Sequence, residues 1–472
     1  MLLISVLFPI VAGVAVSVPA VSRRLRQALY TAVIVLTDLF GALTILLGRP
    51  VTLFRLTGDI SLAFSLDEVG RFFLILVLTV YTAATIYAFE YLEYDDRMNQ
   101  FFGFWFASLG AMTAACLAAN LVSLYLCFEM ATLTSMPLVL HERTKEATLG
   151  ALKYLFYSIG GALLGLFAVM TLCYYGSGVF APGGFLSAEA VTAQGPLLRA
   201  AAFVGIVGFG AKAGMYPLHG WLPAAHPVAP APASALLSGI VAKAGILAVI
   251  RLVYYSAGPD LIRGTWVQLA WMILALLTVF MGSMMAYLEK VTKKRLAYST
   301  VSQLSYIMLG LSLLCDGGLH GGLLHAAAHA VSKGTLFLCA GVFIHRLGIH
   351  NVSELRGIGR QMPVTLWCFL IAALSLVGIP PLGGFVSKWS IALTALETAP
   401  GAFAVLIPVV LLLSALLTAG YLLPIVVNGF FPSGDEDLPV KKEEPSVLMI
   451  GPMIALCCCA LLAGLFGSAW IP

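Results

Sequence analysis

Charge is what this chain has least of. Asp, Glu, Lys and Arg together make up 10% of its 472 residues, where about 25% is usual in a soluble protein. That scarcity excludes a soluble enzyme of this length. With 60% hydrophobic residues and a mean hydropathy of +0.98, the solvent implied is the lipid bilayer. Long polar stretches are missing too, which excludes a separate soluble domain within these residues. The alternation of apolar and polar residues that a transmembrane barrel needs is absent. None of the nine cysteines forms a CxxC pair, so the usual ligand spacing of a zinc site or an iron–sulfur cluster is lacking. Cys457, Cys458 and Cys459 read as small apolar packing residues of one helix. No cofactor and no metal are expected, and the small net charge of +4 gives no reason for a nucleic-acid partner.

What is present is a series of apolar stretches, each near the length of about 20 residues that crosses a hydrocarbon core. They fall near 1–20, 28–48, 70–90, 101–117, 120–140, 151–174, 200–220, 233–255, 266–287, 296–314, 319–345, 362–390, 402–430 and 446–470. Backbone polar groups in lipid must bond within their own segment, so the fold class is an all-α polytopic membrane protein of about fourteen helices. The first stretch lacks a polar cleavage region and is expected to stay as a helix. Positively charged residues are retained on the cytoplasmic side. Fourteen spans starting outside put sixteen of the 26 Lys and Arg in inner connections and six in outer ones, the other four being Lys212, Lys243, Lys333 and Lys388 within spans. Both termini are therefore expected outside, in the cell (inner) membrane.

Two spans are interrupted. Around Lys212 the chain reads GFGAKAGMYPLHGWLPAAHPVAPAPASALLSG, with Pro217, Pro223, Pro227, Pro230 and Pro232 close together. Around Lys388 it reads SLVGIPPLGGFVSKWSI, with Pro380, Pro381, Gly383 and Gly384. Proline at such density stops a helix. Broken backbone at membrane depth is tolerated where it is buried in protein or lines a wet cavity, and paired breaks point to an inverted-repeat transporter. The alternative is a pair of proline kinks that only pack. The breaks divide the chain into 1–100, three N-terminal helices; 101–255 and 266–430, two five-helix repeats; and 431–472, a polar linker and a last helix.

A charge at the centre of a bilayer costs on the order of 3 kcal/mol, so ionisable groups there mark ion or proton pathways. Glu129, mid-span in LVSLYLCFEMATLTSMPLVL, needs a positive partner or a proton, and Lys212 is the natural candidate. A static pair that fixes helix packing is the plainer reading. Lys243 lies on the next span, too deep to reach a polar end, as a relay or as a lysine bonded to broken-helix carbonyls. HAAAHAVSK places His325, His329 and Lys333 at steps of four, which share one helix face about 6 Å apart in rise. Two imidazoles that accept on one nitrogen and donate from the other, followed by an amine, suit a proton relay; core histidines are the alternative. Lys388 follows the second break. His219 and His226 are secondary candidates in the first broken segment, either linking Lys212 to water or Lys243 or capping helix ends. Asp38 reads as a helix-packing residue.

The segments KAGMYPLHGWLPAAHPVAPAPASALLSGIVAKAG, KKRLAYSTVSQLSYIMLG, HAAAHAVSKGTLFLCAG and GIPPLGGFVSKW resemble the antiporter-like proteins shared by respiratory complex I (NADH:quinone oxidoreductase), Mrp-type Na+/H+ antiporters and group 4 membrane-bound hydrogenases. The resemblance covers roughly residues 100–430 and is nearest the Mrp D or hydrogenase-type subunit. Phe128 stands where a tryptophan commonly precedes the coupling glutamate. The resemblance implies two inverted repeats and a hydrated polar axis. It makes Glu129 with Lys212 the coupling pair, Lys243 the central relay, His325, His329 and Lys333 the connecting chain, and Lys388 the exit-side lysine. The expected function is a proton-translocating subunit of a larger complex, moving H+, with Na+ as a candidate counter-ion, beside other integral membrane subunits. Any enzyme label, NADH dehydrogenase-like or hydrogenase, would belong to that complex. A stand-alone transporter of an organic solute and a quinone-binding redox subunit are the rival readings.

Overall fold

The computed structural model describes residues 1–17, 23–57, 60–432 and 442–470. Fifteen long helices carry it: α1 (Leu2–Val16), α2 (Arg23–Leu47), α3 (Glu68–Tyr91), α4 (Met98–Leu117), α5 (Leu121–Val139), α6 (Lys145–Tyr175), α7 (Ala188–Lys212), α8 (Ala231–Ala257), α9 (Trp266–Leu288), α10 (Thr292–Leu311), α11 (Asp316–Leu347), α12 (Pro363–Val377), α13 (Gly383–Thr398), α14 (Phe403–Phe430) and α15 (Val447–Trp470). Eleven of them are long and apolar enough to cross a membrane. The protein is a multi-pass integral membrane protein.

Each expected stretch meets one helix, apart from 362–390, which meets two. The polar side chains between spans act as helix starts. Asp67 accepts from Gly70 N (2.8 Å), Asn120 from Ser123 N (2.8 Å), Thr144 from Ala147 N (3.0 Å) and Ser187 from Ala190 N (3.2 Å). Each side-chain oxygen takes one of the orphan N–H groups of a first helical turn.

Two regions differ from the sequence reading. Between the second and third expected stretches, the connection 49–69 holds two antiparallel strands, β1 (Val51–Thr57) and β2 (Ile60–Phe64), where no regular element was expected. Asn120 Nδ2 donates to Ser61 O (2.8 Å), which ties this hairpin to the start of α5. The seventh helix runs from Ala188 to Lys212 with a kink at Gln194, earlier at both ends than 200–220. Residues 213–220 cannot continue it, because Gly214 has φ +74° and Pro217 follows. Residues 433–441 of the polar linker fall outside the described residues.

Burial sorts the helices by what they carry. The apolar core of α8 is 100% buried and that of α11 is 94% buried, whereas α14 buries only 22% and α2 33%. The two enclosed helices hold Lys243, His325, His329 and Lys333. A helix with ionisable groups cannot turn them to lipid without a large cost, so protein surrounds it. Two π-helical turns, Leu237–Val241 and Val253–Ala257, lie within α8 on either side of the Lys243–Leu252 stretch.

Candidate functional site

The broken and irregular backbone places lysines where free carbonyls are available. Lys243 follows the first π-helical turn of α8, and its Nζ donates to Gly239 O (2.6 Å) and Ser238 O (3.4 Å). The same ammonium nitrogen lies 2.9 Å from His329 Nδ1 on α11. Lys388 sits in the second turn of α13 and donates back across the break to Leu376 O (2.5 Å) and Val377 O (3.2 Å) at the end of α12. That break opens at Gly378, whose φ of +97° ends α12 in a left-handed cap.

From Lys243 a run of polar groups leads to Lys388. The His325 and His329 rings stack with centroids 6.3 Å apart, as their four-residue spacing requires. His325 Nδ1 lies 2.9 Å from Ser387 Oγ, the residue next to Lys388. Tyr306 of α10 stacks on His325 (5.1 Å) and presents its ring face to Lys388 Nζ (4.7 Å). Ser387 Oγ donates to Gly384 O (3.1 Å), so its oxygen accepts from His325 Nδ1–H and leaves Nε2 of that ring as an acceptor. His325 Nε2 and His329 Nε2 are both buried without a partner among the described residues. Such atoms within a protein call for water.

The other candidates stand apart from this run. Lys212 is fully buried and donates to Thr132 Oγ1, with the Phe128 ring 4.6 Å and the Tyr154 ring 5.8 Å from Nζ. Glu129 lies one turn earlier on α5, half-buried, within electrostatic range of Lys212 but not in a direct ion pair with it. Among the described residues no hydrogen bond joins Lys212 to Lys243. Lys333 donates to Leu296 O (3.0 Å) of α10, away from the histidine run. His219 is half-buried and stacks on Tyr216 (5.8 Å). His226 is fully buried against Phe337 (4.6 Å), within electrostatic range of Lys293 and Lys333. Asp38 accepts from Thr82 Oγ1 (2.8 Å), joining α2 to α3.

Several residues that matter here escaped the sequence reading. Thr132, Tyr306 and Ser387 carry no charge and so gave no signal in an apolar span, though Ser387 adjoins Lys388. Lys293 and Arg251 were counted with the connections and are 5% and 1% exposed. Arg251 pairs with Asp67, the N-cap of α3, through both carboxylate oxygens. Burial pushes the Asp67 carboxyl up, but the bonded Arg251 guanidinium outweighs it and holds the group below the usual carboxylate range. Arg251 lies under the ring faces of Phe180 (4.9 Å) and Tyr255 (4.8 Å). Asp67, Phe180 and Tyr255 also border a 580 Å³ cavity beside the β1–β2 hairpin. Asp95, in the α3–α4 connection, is likewise drawn below the usual range, its burial outweighed by His141 Nε2 at 2.7 Å.

Residues 118–430 match the model of the family described as NADH:quinone oxidoreductase/Mrp antiporter, TM, and residues 55–102 match that of NADH-Ubiquinone oxidoreductase (complex I), chain 5 N-terminus. The chain is 31% identical over 430 residues to NADH-quinone oxidoreductase subunit N of Desulforudis audaxviator, covering 85% of this chain and 82% of that one. It is 32% identical over 346 residues to Hydrogenase-4 component B of Escherichia coli, covering 70% of this chain and half (50%) of the longer relative. A chain of the Mrp complex from Dietzia sp. has the same fold, with a TM-score of 0.83, 22% identity and coverage of 99% and 94%. With two thirds of its length inside one family model, the chain belongs to the NADH:quinone oxidoreductase/Mrp antiporter transmembrane family.

Proposed function

We propose that this chain is a proton-translocating, antiporter-like subunit of a larger membrane complex, of Mrp, membrane-bound hydrogenase or complex I-like type. It moves protons by sequential protonation of buried lysines and histidines. In this reading residues 101–255 and 266–430 are its two inverted repeats, both termini face outward from the cell membrane, and the partners are other integral membrane subunits. Relatives named as an oxidoreductase subunit, a hydrogenase component and part of an Mrp complex support the assembly.

The observation that carries the proposal is the 2.9 Å contact of Lys243 Nζ with His329 Nδ1, in a space that protein encloses on every side. The contact serves both protonation states. With three protons, Nζ bonds Gly239 O, Ser238 O and His329 Nδ1. With two, its lone pair accepts a hydrogen bond from His329 Nδ1–H while both carbonyls stay bonded. A proton given to Nδ1 leaves His329 from Nε2, and the neighbouring His325 presents Nε2 as an acceptor. Tyr306 and Ser387 hold the next ring against Lys388. At the far end, Lys212 is held by one hydroxyl and two ring faces, which leaves it free to move towards Glu129 and break away again. Making and breaking that pair would alternately hold and release a proton.

The test uses the native complex in sealed membrane vesicles, with proton uptake followed by a pH-sensitive dye. Lys212→Ala and Lys243→Met, each at wild-type levels of assembled complex, are expected to lower the initial rate at least tenfold. Wild-type rates in both would remove the axis. Repeating the assay with and without a sodium gradient decides whether Na+ is the counter-ion.

A further inference from the structure

One buried cluster is not used by the axis: Lys293, His226 and Lys333, with Glu142 at its outer edge. Lys293 lies in the first turn of α10, directly after the α9–α10 connection, and it turns inward under the proline-rich segment after Lys212. Its Nζ donates to Ala229 O (2.5 Å) and Pro227 O (3.4 Å). Those carbonyls lie one and three residues beyond His226. Both carbonyls lie in the gap between the helical segments Leu222–Ala225 and Ala231–Leu236, where no backbone N–H of the described residues bonds them. Fully buried between the lysines, His226 stacks on Phe337 at 4.6 Å and 19°. Phe337 is one turn from Lys333 on α11, and Lys333 Nζ donates to Leu296 O (3.0 Å), which is one turn from Lys293 on α10. The contacts therefore close a ring: Lys293 to the His226 segment, His226 to the Lys333 face of α11, and Lys333 back to α10.

Within that ring both nitrogens of His226, Nδ1 and Nε2, are buried without a partner among the described residues. A histidine that only filled space would be replaced at no loss by an apolar ring, and one that only capped a helix would be bonded. A neutral imidazole with both nitrogens free can accept on one and release from the other. The charges of Lys293 and Lys333 both act on it, and Glu142, exposed in the α5–α6 connection, acts on Lys293. Lys333 in turn lies within electrostatic range of Lys243.

We propose that Glu142, Lys293 and His226 form a side entry that loads protons onto Lys333, and through it the axis, from the face bearing the α5–α6 and α9–α10 connections. The proposal rests on the transport reading above. In each step one N–H bond breaks and another forms: Lys293 gives a proton to one nitrogen of His226, whose other nitrogen passes one to Lys333 over a bridging water. Glu142 draws protons from solution and returns Lys293 to its charged form. No oxidant or co-reactant is involved.

Two substitutions separate transfer from packing. His226→Phe keeps the ring on Phe337 and orphans nothing, since neither nitrogen is bonded. Lys293→Arg keeps the charge and the donors for Ala229 O and Pro227 O, but a guanidinium does not release a proton at working pH. In the same vesicle assay, with assembled complex quantified, each variant is expected to lower the proton-uptake rate at least tenfold. Rates within twofold of wild type for His226→Phe would overturn the side entry, and a fully active Lys293→Arg would reduce Lys293 to a structural clip and overturn its role. Lys212→Ala run alongside keeps the two readings apart. If it is inactive while the entry variants are active, only the entry falls; if it is active, the axis itself falls.

Discussion

At the first break Lys212 ends α7 and reaches sideways to a hydroxyl on α5; at the second, Lys388 sits past the break and reaches back to the main chain it has just left. The surroundings differ accordingly. The first break is long, residues 213–230, and tucks a histidine and several prolines into the protein. The second is short, residues 378–382, and brings the start of α13 onto the end of α12. Carbonyls at a helix C-terminus carry the negative end of its dipole, so Leu376 O and Val377 O hold a cation in one place. Thr132 and two ring faces hold Lys212 far less firmly. Similar sequence features, a proline-glycine break beside a lysine, thus give one amine bonded to main-chain carbonyls and one bonded to a single hydroxyl, the difference that the proposed coupling role of Lys212 and terminal role of Lys388 draw on.

The short break depends on close approach, and the largest expected effect follows from removing it. A Cβ on Gly384 would stand 1.7 Å from Ser375 O, a backbone atom that cannot step aside. Gly384→Ala is expected to cost more than the roughly 1–3 kcal/mol usual for overpacking, so little assembled protein should reach the membrane. Gly160→Ala, with nothing within 4 Å, is the matched control. Equal yields of the two would mean that the second break does not depend on this close approach.

Arg251 marks the other limit of the comparison, a buried cation with a bonded carboxylate. Asp67→Asn keeps the helix cap on Gly70 N but leaves Arg251 without its countercharge. Breaking a buried pair costs about 3–5 kcal/mol; the low end is expected here, because the Asp67 side chain is 39% exposed. The pH dependence has a definite sign. The carboxyl is lowered in the folded protein, so its contribution is complete above the ordinary carboxylate range and is lost as pH falls through the lowered value. Thermal unfolding between pH 7 and 3 should show wild type converging on Asp67→Asn as acid is added. A constant gap down to pH 3 would contradict the pairing.

Much of the fold was legible because the bilayer imposes it: a crossing helix needs a fixed length of apolar residues, and each expected stretch met a helix. The His325, His329 and Lys333 stripe was legible because 3.6 residues per turn puts steps of four on one face. The contact of Lys243 with His329 was not, since it joins helices 86 residues apart in sequence and depends on how α8 and α11 rotate against each other. Charge sign pointed from Lys212 to Glu129, yet the structure sets Thr132 at the ammonium. Those two residues are one turn apart on α5, and sign alone does not resolve a turn. Lys293 was hidden by its neighbours, for Lys290, Lys294 and Arg295 make the run look like a solvated connection, and only the freed carbonyls of Pro227 and Ala229 turn it inward. The β1–β2 hairpin is partly exposed, so its alternation gave too weak a signal to stand out from a polar loop.

The smallest expected effect addresses the two lysines directly. Lys212→Met orphans no partner, since Thr132 Oγ1 still donates to Phe128 O at 3.2 Å. It also removes an amine that has no bonded carboxylate, so stability should be unchanged or slightly higher. Lys388→Met removes the same kind of desolvation cost but strips a donor from both Leu376 O and Val377 O, each unpaired carbonyl costing about 1–3 kcal/mol. Both variants should stop transport, yet only Lys388→Met should lower the unfolding temperature of the purified complex when the two are melted side by side. Equal melting, or the reverse order, would mean that the carbonyls at the second break do not hold their lysine and that neither amine is more fixed than the other.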